Sequence, residues 1–426
     1  MPLHLPGLLS QWPARYASMT KRRYFFLILI LGSLSALGPF SIDMYLPGFP
    51  AIAQDLHTSV ARVGLSLSSF FVGVSAGQLL YGPLLDRFGR KKPLYFGLVL
   101  YVLASIGCYE ARTIDSLIWL RFLQAVGSCA ASVAAVAMVR DLFPVKDSPK
   151  VFALLMLVIS ASPMLAPTIG GYTVAAFGWQ AVFLILFAMG ALLLVASIFW
   201  LPESYTPDPT YSLHPRPILT TFWSVLRHPQ FFTYALTGAM TFGGLLAYVS
   251  GSPLVFMDIF RVSSQVYGWI FALLSVGFVG SSQINSWLLR YYRSEQIVLG
   301  AMLTQSIIGL VFLIGTIQGW YGLTATIVLL FLFLCCLGFA NPNAAALSIA
   351  PFSKNAGSAA ALMGATQMAV GALASFGVSL FNTHTAVPMV AIMAASALVA
   401  LCTLLIGQRL IGEPVAAAED ASVLVH

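Results

Sequence analysis

Long apolar runs dominate the chain, and short polar segments separate them. Each run holds about 20 predominantly apolar residues, the length that an α-helix needs to cross the hydrocarbon core of a bilayer. The pattern therefore predicts an all-α integral membrane protein with twelve transmembrane helices. The predicted helices cover residues 24–46, 62–83, 94–110, 117–139, 150–172, 180–200, 230–251, 266–289, 297–317, 321–343, 357–380 and 387–408.

Composition and the placement of charges agree with a membrane protein. Hydrophobic residues make up 59% of the 426 positions and charged residues 8%, whereas about a quarter of a soluble protein is charged. Seventeen of the 21 Lys and Arg residues fall in the amino-terminal segment and in the connections on its side of the membrane. The positive-inside rule then predicts a multi-pass protein of the inner (plasma) membrane with both termini in the cytoplasm. The net charge of +7 is thus a topology signal and does not indicate nucleic-acid binding.

A proline-rich stretch after the sixth predicted helix divides the chain into two six-helix halves. A weak internal repeat supports the division, because residues 280–293 follow the eighth helix much as residues 82–92 follow the second. The predicted parts are a cytoplasmic amino-terminal segment at 1–23, six-helix bundles at 24–200 and 230–408, a cytoplasmic linker at 201–229 and a cytoplasmic tail at 409–426. We expect the tail to be disordered from residue 412 onward.

Two charged residues lie well inside the predicted helices, Asp43 in the first and Arg121 in the fourth. An ionised carboxylate is costly near hydrocarbon, so Asp43 favours a partner, a water-filled cavity or a proton, and it is a candidate proton carrier. It could instead only cap a helix break, because Pro39, Pro47 and Pro50 surround it. Arg121 stays charged in nearly any environment and cannot carry the proton. It could stabilise a nearby carboxylate or hold a helix crossing through hydrogen bonds.

Several short motifs resemble one known family in order and spacing. The connection Gly82-Pro-Leu-Leu-Asp86-Arg87-Phe-Gly89-Arg90-Lys91-Lys92 packs a carboxylate, four bases and two glycines together. It resembles the G-x-x-x-D-R-x-G-R-[RK] loop signature of the major facilitator superfamily. Arg121-Phe-Leu-Gln124 and Arg140-Asp141 are similar to further patterns of that family. Ala166-Pro167-Thr-Ile-Gly170-Gly171 is similar to its antiporter signature, although Ala166 and Leu157 replace two expected glycines.

Other segments resemble the Bcr/CflA subfamily, whose members are drug exporters of the bicyclomycin-resistance type. These segments are Ser41-Ile-Asp43-Met-Tyr-Leu-Pro47, Met138-Val-Arg140-Asp141, Asn343-Ala-Ala-Ala and Ala356-Gly357-Ser358. The resemblance covers nearly the whole chain, and it implies the major facilitator fold and a monomer. It further implies a proton-coupled exporter of small amphipathic compounds, such as bicyclomycin- or chloramphenicol-type antibiotics.

The resemblance also implies roles for particular residues. Asp43 and Arg121 would couple transport to protons. Asp86 would meet the start of the eleventh helix, and Arg87 and Arg90 would reach Asp141. The implied substrate contacts are Met44, Tyr45, Met138, Phe242, Tyr248, Phe339 and Asn341, although methionine and aromatic side chains at helical spacing are also ordinary packing residues. The implied gate residues are Gly82, Asp86, Arg87, Gly89, Arg90, Arg140 and Asp141, and the antiporter segment supplies Pro167, Gly170 and Gly171.

Other functional classes fit the sequence less well. Export of a cellular metabolite, such as an amino acid, peptide or sugar, would use the same fold and stays the alternative. A membrane enzyme has little support, because all six histidines lie in predicted loops or tails and the helices hold no paired carboxylates or metal-ligand cluster. No G-x-x-x-x-G-K-[ST] loop indicates ATP-driven transport. A non-transporting receptor would have little need for both a gate and a buried acid. We therefore expect a small molecule, protons and the bilayer as partners, with no cofactor or metal.

Overall fold

The computed structural model describes residues 21–143, 148–208, 215–352, 356–381, 384–412 and 415, and no strand occurs among them. Twelve of its helices are long and apolar enough to span a membrane, which confirms the number predicted from the sequence. Most of the predicted amino-terminal segment and of the tail lies outside the described residues.

Helices α1 to α7 form the amino-terminal half and helices α9 to α14 the carboxy-terminal half. The first set is α1 (Lys21–Asp43), α2 (Phe49–Asp55), α3 (Val60–Phe88), α4 (Lys91–Glu110), α5 (Ile114–Leu142), α6 (Ser148–Phe177) and α7 (Gln180–Phe199). The linker helix is α8 (Pro215–Leu226). The second set is α9 (Pro229–Pro253), α10 (Ser264–Leu288), α11 (Ser294–Ile317), α12 (Leu323–Ile349), α13 (Ala356–Leu380) and α14 (Val387–Leu410).

Local sequence explains where several helices begin and end. The hydroxyls of Ser59 and Thr113 accept hydrogen bonds from backbone N–H groups in the first turns of α3 and α5, as N-cap residues do. Helix α1 ends at Asp43, earlier than the predicted residue 46, and a 3₁₀ turn at Leu46–Gly48 leads into the short helix α2. Pro47 accounts for the early end, because it lacks the N–H that a continuing helix needs.

The two six-helix bundles meet along two helix pairs, α3 with α13 and α6 with α10. We call the side on which the linker lies the linker side, and the other the opposite side. On the opposite side the halves are closed together by hydrogen bonds between hydroxyls. Ser68 and Ser375 lie 2.7 Å apart across the α3–α13 contact, and Ser375 donates to Ser250 of α9 at 3.0 Å. Ser264 of α10 donates to the Pro47 carbonyl at 3.3 Å.

On the linker side a cavity of about 780 Å³ separates the halves. Helices α3 and α5 line it from one half, α13 from the other, and α8 from the linker. The molecule is therefore closed on the opposite side and open on the linker side.

One residue of the tail is held in place, against the expectation of disorder from residue 412. The Val415 N–H donates to Gln230 Oε1 at 2.9 Å, and Gln230 Nε2 donates to the Val415 carbonyl at 2.8 Å. Gln230 lies in the first turn of α9 and also donates to the Leu347 carbonyl of α12. A buried amide side chain pairs with a peptide unit in this way because it offers the same donor and acceptor.

Candidate functional site

Asp43 lies at the end of α1, where the two halves meet. Its side chain is buried, with 6% exposure, and none of the hydrogen bonds or ion pairs between described residues involves its carboxylate. Two tyrosines of the other half, Tyr248 of α9 and Tyr267 of α10, lie within electrostatic range of the Asp43 side chain. The Tyr248 hydroxyl is itself buried without a hydrogen-bond partner. The site thus holds an uncompensated carboxylate, which is stable only if it is protonated or binds a further group.

Arg121 is fully buried in α5 and is held by neutral groups. Its Nη1 donates to Gln124 Oε1 at 2.5 Å, and its Nη2 donates to the Ser41 carbonyl of α1 at 2.8 Å. No ion pair joins it to Asp43. The arginine therefore holds the backbone two residues before Asp43, which agrees with the helix-crossing role among the two that the sequence allowed.

Aromatic rings complete the surroundings of Arg121. The guanidinium carbon lies 4.2 Å from the Tyr45 ring centre and 4.3 Å from that of Phe70. The Tyr45 hydroxyl pairs with Ser66 at 3.1 Å, and its ring packs against Phe183 of α7. In this conformation Tyr45 belongs to the interior of the amino-terminal half, because the face of its ring packs against the buried Arg121 guanidinium.

The cavity is lined by other residues than the seven implied substrate contacts, and this differs from the expectation. Met44, Met138 and Tyr248 are buried, and Phe339 packs inside the carboxy-terminal half. Asn341 accepts a hydrogen bond from Gln367 of α13 at 3.1 Å. Phe242 is partly buried against the main apolar core. Met44 and Tyr248 pack where the halves are closed on the opposite side, whereas Phe339 and Asn341 are held by contacts inside the carboxy-terminal half.

Gln78 is a cavity residue that sequence reasoning missed. It lies on α3 where the cavity ends, against Gly364 of α13, and its Oε1 is buried without a hydrogen-bond partner. The sequence did offer one signal for this residue, because Gln78 is a neutral polar residue inside an apolar run. The amide could bind a polar group of a ligand that enters the cavity.

Arg90 organises the charged residues that line the cavity near the linker. Its Nη1 donates to Asp86 at 2.9 Å and its Nε donates to Asp141 at 2.8 Å. Burial by itself would lower the pKa of Arg90, but the hydrogen bonds and charges of Asp141 and Asp86 outweigh burial and raise it. The guanidinium therefore stays charged and ties α3 to α5.

Other implied gate residues lie around Arg90, Asp86 and Asp141. Arg87 extends over the Phe88 ring at 5.8 Å, and Arg140 lines the cavity. Gly82 lines it as well, and so do Gly357 and Ser358 at the start of α13, across from Asp86. The hydrogen bonds of Asp86 found among the described residues go to Arg90 and to the linker backbone rather than to α13. The expected contact between Asp86 and α13 is thus a shared cavity wall in this conformation.

The linker docks onto the gate, which the sequence alone did not indicate. Glu203 accepts the backbone N–H groups of Arg90 at 2.8 Å and Lys91 at 3.1 Å, at the start of α4. Ser204 donates to Asp141 at 2.9 Å, and the Tyr205 ring lies 4.2 Å from the Arg90 guanidinium. The sequence shows only that an acid and a hydroxyl, Glu203 and Ser204, follow α7. It does not show which distant segment they contact.

Gly89 allows this docking. Its φ of 84° lies in the left-handed region of backbone conformation, which residues other than glycine rarely adopt. A Cβ at this position would lie 3.1 Å from Glu203 Oε2.

Glycines of α6 allow close helix contacts on the opposite side. A Cβ on Gly170 would overlap the carbonyl of Met44, directly after α1, and one on Gly171 would overlap the Ser264 carbonyl of α10. The Pro167 carbonyl likewise occupies the space that a Cβ on Gly268 would need. The segment that resembles the antiporter signature therefore joins the two halves where they are closed.

The elements and sites together define a membrane transporter: two bundles of spanning helices, a cavity open on one side, and buried charge where the bundles meet. Among the described residues there is no group of His, Cys, Asp or Glu side chains that could hold a metal ion. Comparison with known proteins agrees with this class.

Residues 31–376 match the family model described as Major Facilitator Superfamily. The "Uncharacterized MFS-type transporter YdgK" of Bacillus subtilis is 35% identical over 376 residues, which cover 88% of this chain and 93% of the relative. The "Bicyclomycin resistance protein homolog" of Haemophilus influenzae is 32% identical over 386 residues, which cover 88% of this chain and 94% of the relative. The solved structure of a D-xylose-proton symporter superposes with a TM-score of 0.72 at 14% identity, over 92% of this chain and 99% of that one.

The chain belongs to the major facilitator superfamily. The predicted resemblance to the Bcr/CflA subfamily is confirmed by the relatives, and the predicted fold by the family model and the solved structure. The protein is a multi-pass transporter of the inner membrane and not an enzyme.

Proposed function

We propose that this protein exports small amphipathic compounds in exchange for protons, by alternating access. Asp43 is the observation that carries the proposal, because a buried carboxylate that has no partner among the described residues, at the junction of two bundles, is suited to gain and lose a proton. The name of the Haemophilus relative supports an antibiotic of the bicyclomycin type as one cargo. Protons that enter down their gradient supply about 2.3 kcal/mol for each charge that crosses 100 mV.

The proposed topology places the linker side in the cytoplasm, with both termini there. The distribution of Lys and Arg supports this orientation. We further propose that residues 24–200 and 230–408 move as two units, joined by the linker at 201–229, and that the protein works as a monomer. The cavity then accepts cargo from the cytoplasm or the inner leaflet.

Movement between the two open states requires contacts on the opposite side to break. In the proposed cycle, cargo enters the cavity and the halves then separate around Ser68 and Ser375, so that Asp43 becomes accessible from outside. Arg90, Asp86 and Asp141 keep the ends of α3 and α5 together while the cavity closes. Arg121 holds the α1 backbone beside Asp43 throughout. Each state is stable because packed interfaces have discrete arrangements.

Substrate-triggered proton release from the purified protein tests the proposal. We would compare the wild type with Asp43→Asn in weakly buffered detergent solution, across a panel of bicyclomycin- and chloramphenicol-type compounds. The expected result is that a cargo releases protons from the wild type and not from the variant. Asp115→Asn is the matched control, because Asp115 is an exposed acid whose ion pair with Arg62 lies at the surface.

Two outcomes would count against the proposal. If Asp43→Asn releases as many protons as the wild type, Asp43 is not the exchange site, and Glu110 and Asp141 become the next acids to replace. If no compound on the panel binds, while an amino acid, peptide or sugar releases protons, the protein is an exporter of a metabolite.

A further inference from the structure

Helix α8 has two faces that serve different surroundings. Pro217, Ile218, Thr221 and Phe222 line the cavity between the halves. One turn later Val225 is fully buried against Phe231 and Ala235 of α9 and Ala359 of α13. This inner face fixes the helix to the carboxy-terminal half and makes it part of the cavity wall.

The outer face of α8 is apolar and exposed. Leu219 has 61% of its surface exposed and Trp223 has 54%, and the two lie one turn apart. Arg216 and Arg227 stand at the two ends of this face, and both are exposed. The Arg227 guanidinium carbon lies 4.9 Å from the Trp223 ring centre. The helix contains no acidic residue.

The position of α8 brings this outer face to the level of the membrane surface. Only Arg227 and His228 separate α8 from the start of α9, and Val225 belongs to the same buried cluster as Ala235, a residue about two turns inside a spanning helix. Exposed aromatic residues at other helix ends on the linker side include Trp200 after α7 and Trp287 of α10. Tryptophan at such positions is typical of the interface between hydrocarbon and headgroups. Trp223 is a third exposed tryptophan at the linker side.

We propose that α8 is an interfacial helix that docks onto anionic phospholipids of the leaflet on the linker side. Leu219 and Trp223 enter the boundary between headgroups and acyl chains, and Arg216 and Arg227 bind the negatively charged headgroups. The docking rests on the geometry of α8, and the proposed direction of transport does not affect it. Because the inner face of the same helix lines the cavity, the charge of the leaflet acts on the entrance to the transport pathway.

The depth of two labels on α8 tests the proposal. In a background without the five native cysteines, an environment-sensitive fluorophore is attached at Leu219→Cys or at Ser224→Cys, a control that is exposed but faces away from Leu219. The protein is reconstituted into phosphatidylcholine vesicles that contain phosphatidylglycerol, with or without brominated acyl chains. We expect blue-shifted emission and quenching by brominated lipid at position 219, and much weaker quenching at 224. Equal, water-like emission at both positions would overturn the proposal.

The arginines provide a second measurement. In the labelled protein, replacing phosphatidylglycerol by phosphatidylcholine lowers the ratio of docked to free α8. Arg216→Gln and Arg227→Gln each lower that ratio roughly fivefold in anionic vesicles. If both variants keep full quenching in both lipids, anionic headgroups are not the partner. If the label is shielded in lipid-free detergent and exposed on dilution, the face binds a second copy of the chain instead, and this also overturns the lipid proposal.

Discussion

At the scale of single residues, the buried cation Arg121 and the buried acid Asp43 have separate surroundings and do not pair with each other. The two Nη atoms of Arg121 donate to an amide oxygen and a backbone carbonyl, and ring faces cover the guanidinium, whereas Asp43 has no such partner among the described residues. Planar geometry lets one guanidinium serve acceptors on two helices while it stacks between rings. The arginine therefore fixes the position of the acid without neutralising it, which leaves the acid free to bind a proton.

We predict that Arg121→Lys lowers transport by roughly tenfold to a hundredfold while the protein still inserts and folds. An ammonium group keeps the charge, but it cannot reach Gln124 and the Ser41 carbonyl together, and a lost hydrogen bond to a buried charge costs about 1.5 to 3 kcal/mol. Uptake of a fluorescent cargo into inverted vesicles measures the effect. The control is Arg62→Lys, because Arg62 pairs with Asp115 at the exposed surface. Equal rates for both variants would contradict the assigned role.

At the scale of elements, the crossing of α6 and α10 depends on the absence of side chains. Gly171 and Gly268 let backbone approach backbone between the halves. Overpacking a close contact costs about 1 to 3 kcal/mol. The crossing is therefore a place where one methyl group changes the balance between the two open states.

We predict that Gly171→Ala loosens the closure on the opposite side. A cysteine introduced at Ser68 in a background without native cysteines should then react with an impermeant maleimide roughly fivefold to a hundredfold faster. Gly300→Ala is the control, because a Cβ at Gly300 meets no atom within 4 Å. Unchanged labelling of Gly171→Ala would show that α6 and α10 can separate slightly without opening the halves.

At the scale of the whole molecule, the two halves are joined on one side and separated on the other. The hydroxyls of Ser68, Ser375 and Ser250 connect three helices from both halves. Hydroxyl contacts of this kind are modest in energy and reversible. An interface of small polar side chains therefore suits a joint that must open and close in each cycle.

We predict that a disulfide between Ser68→Cys and Ser375→Cys stops transport and that reduction restores it. The native hydroxyls lie 2.7 Å apart, so the paired cysteines form a bond after small adjustments. Ser69→Cys with Ser375→Cys is the control, because the Ser69 hydroxyl donates to the Ile118 carbonyl within its own half. Full transport by the completely oxidised Ser68→Cys/Ser375→Cys protein would mean that this side never opens.

The chain pattern predicted the fold well and the site only in part. Spanning helices are readable because lipid forces every backbone group to be satisfied within its own segment, so length and apolarity suffice. The loop at 82–92 was also readable, and Arg90 does reach Asp141. The implied substrate contacts were placed only by resemblance, and Tyr45 turned out to pack beneath Arg121.

By itself, the sequence determined the twelve helices, the class of transporter and the charged residues that stand out in an apolar chain. Tertiary structure decided which of these residues meet. It joined Arg121 to the Ser41 carbonyl instead of to Asp43, brought Glu203 to the start of α4, and left Gln78 Oε1 without a hydrogen-bond partner beside the cavity. The physical reason is the length of chain on which each property depends. Membrane insertion depends on the composition of one short segment, whereas hydrogen bonds between helices depend on distances that are set only when the bundles pack.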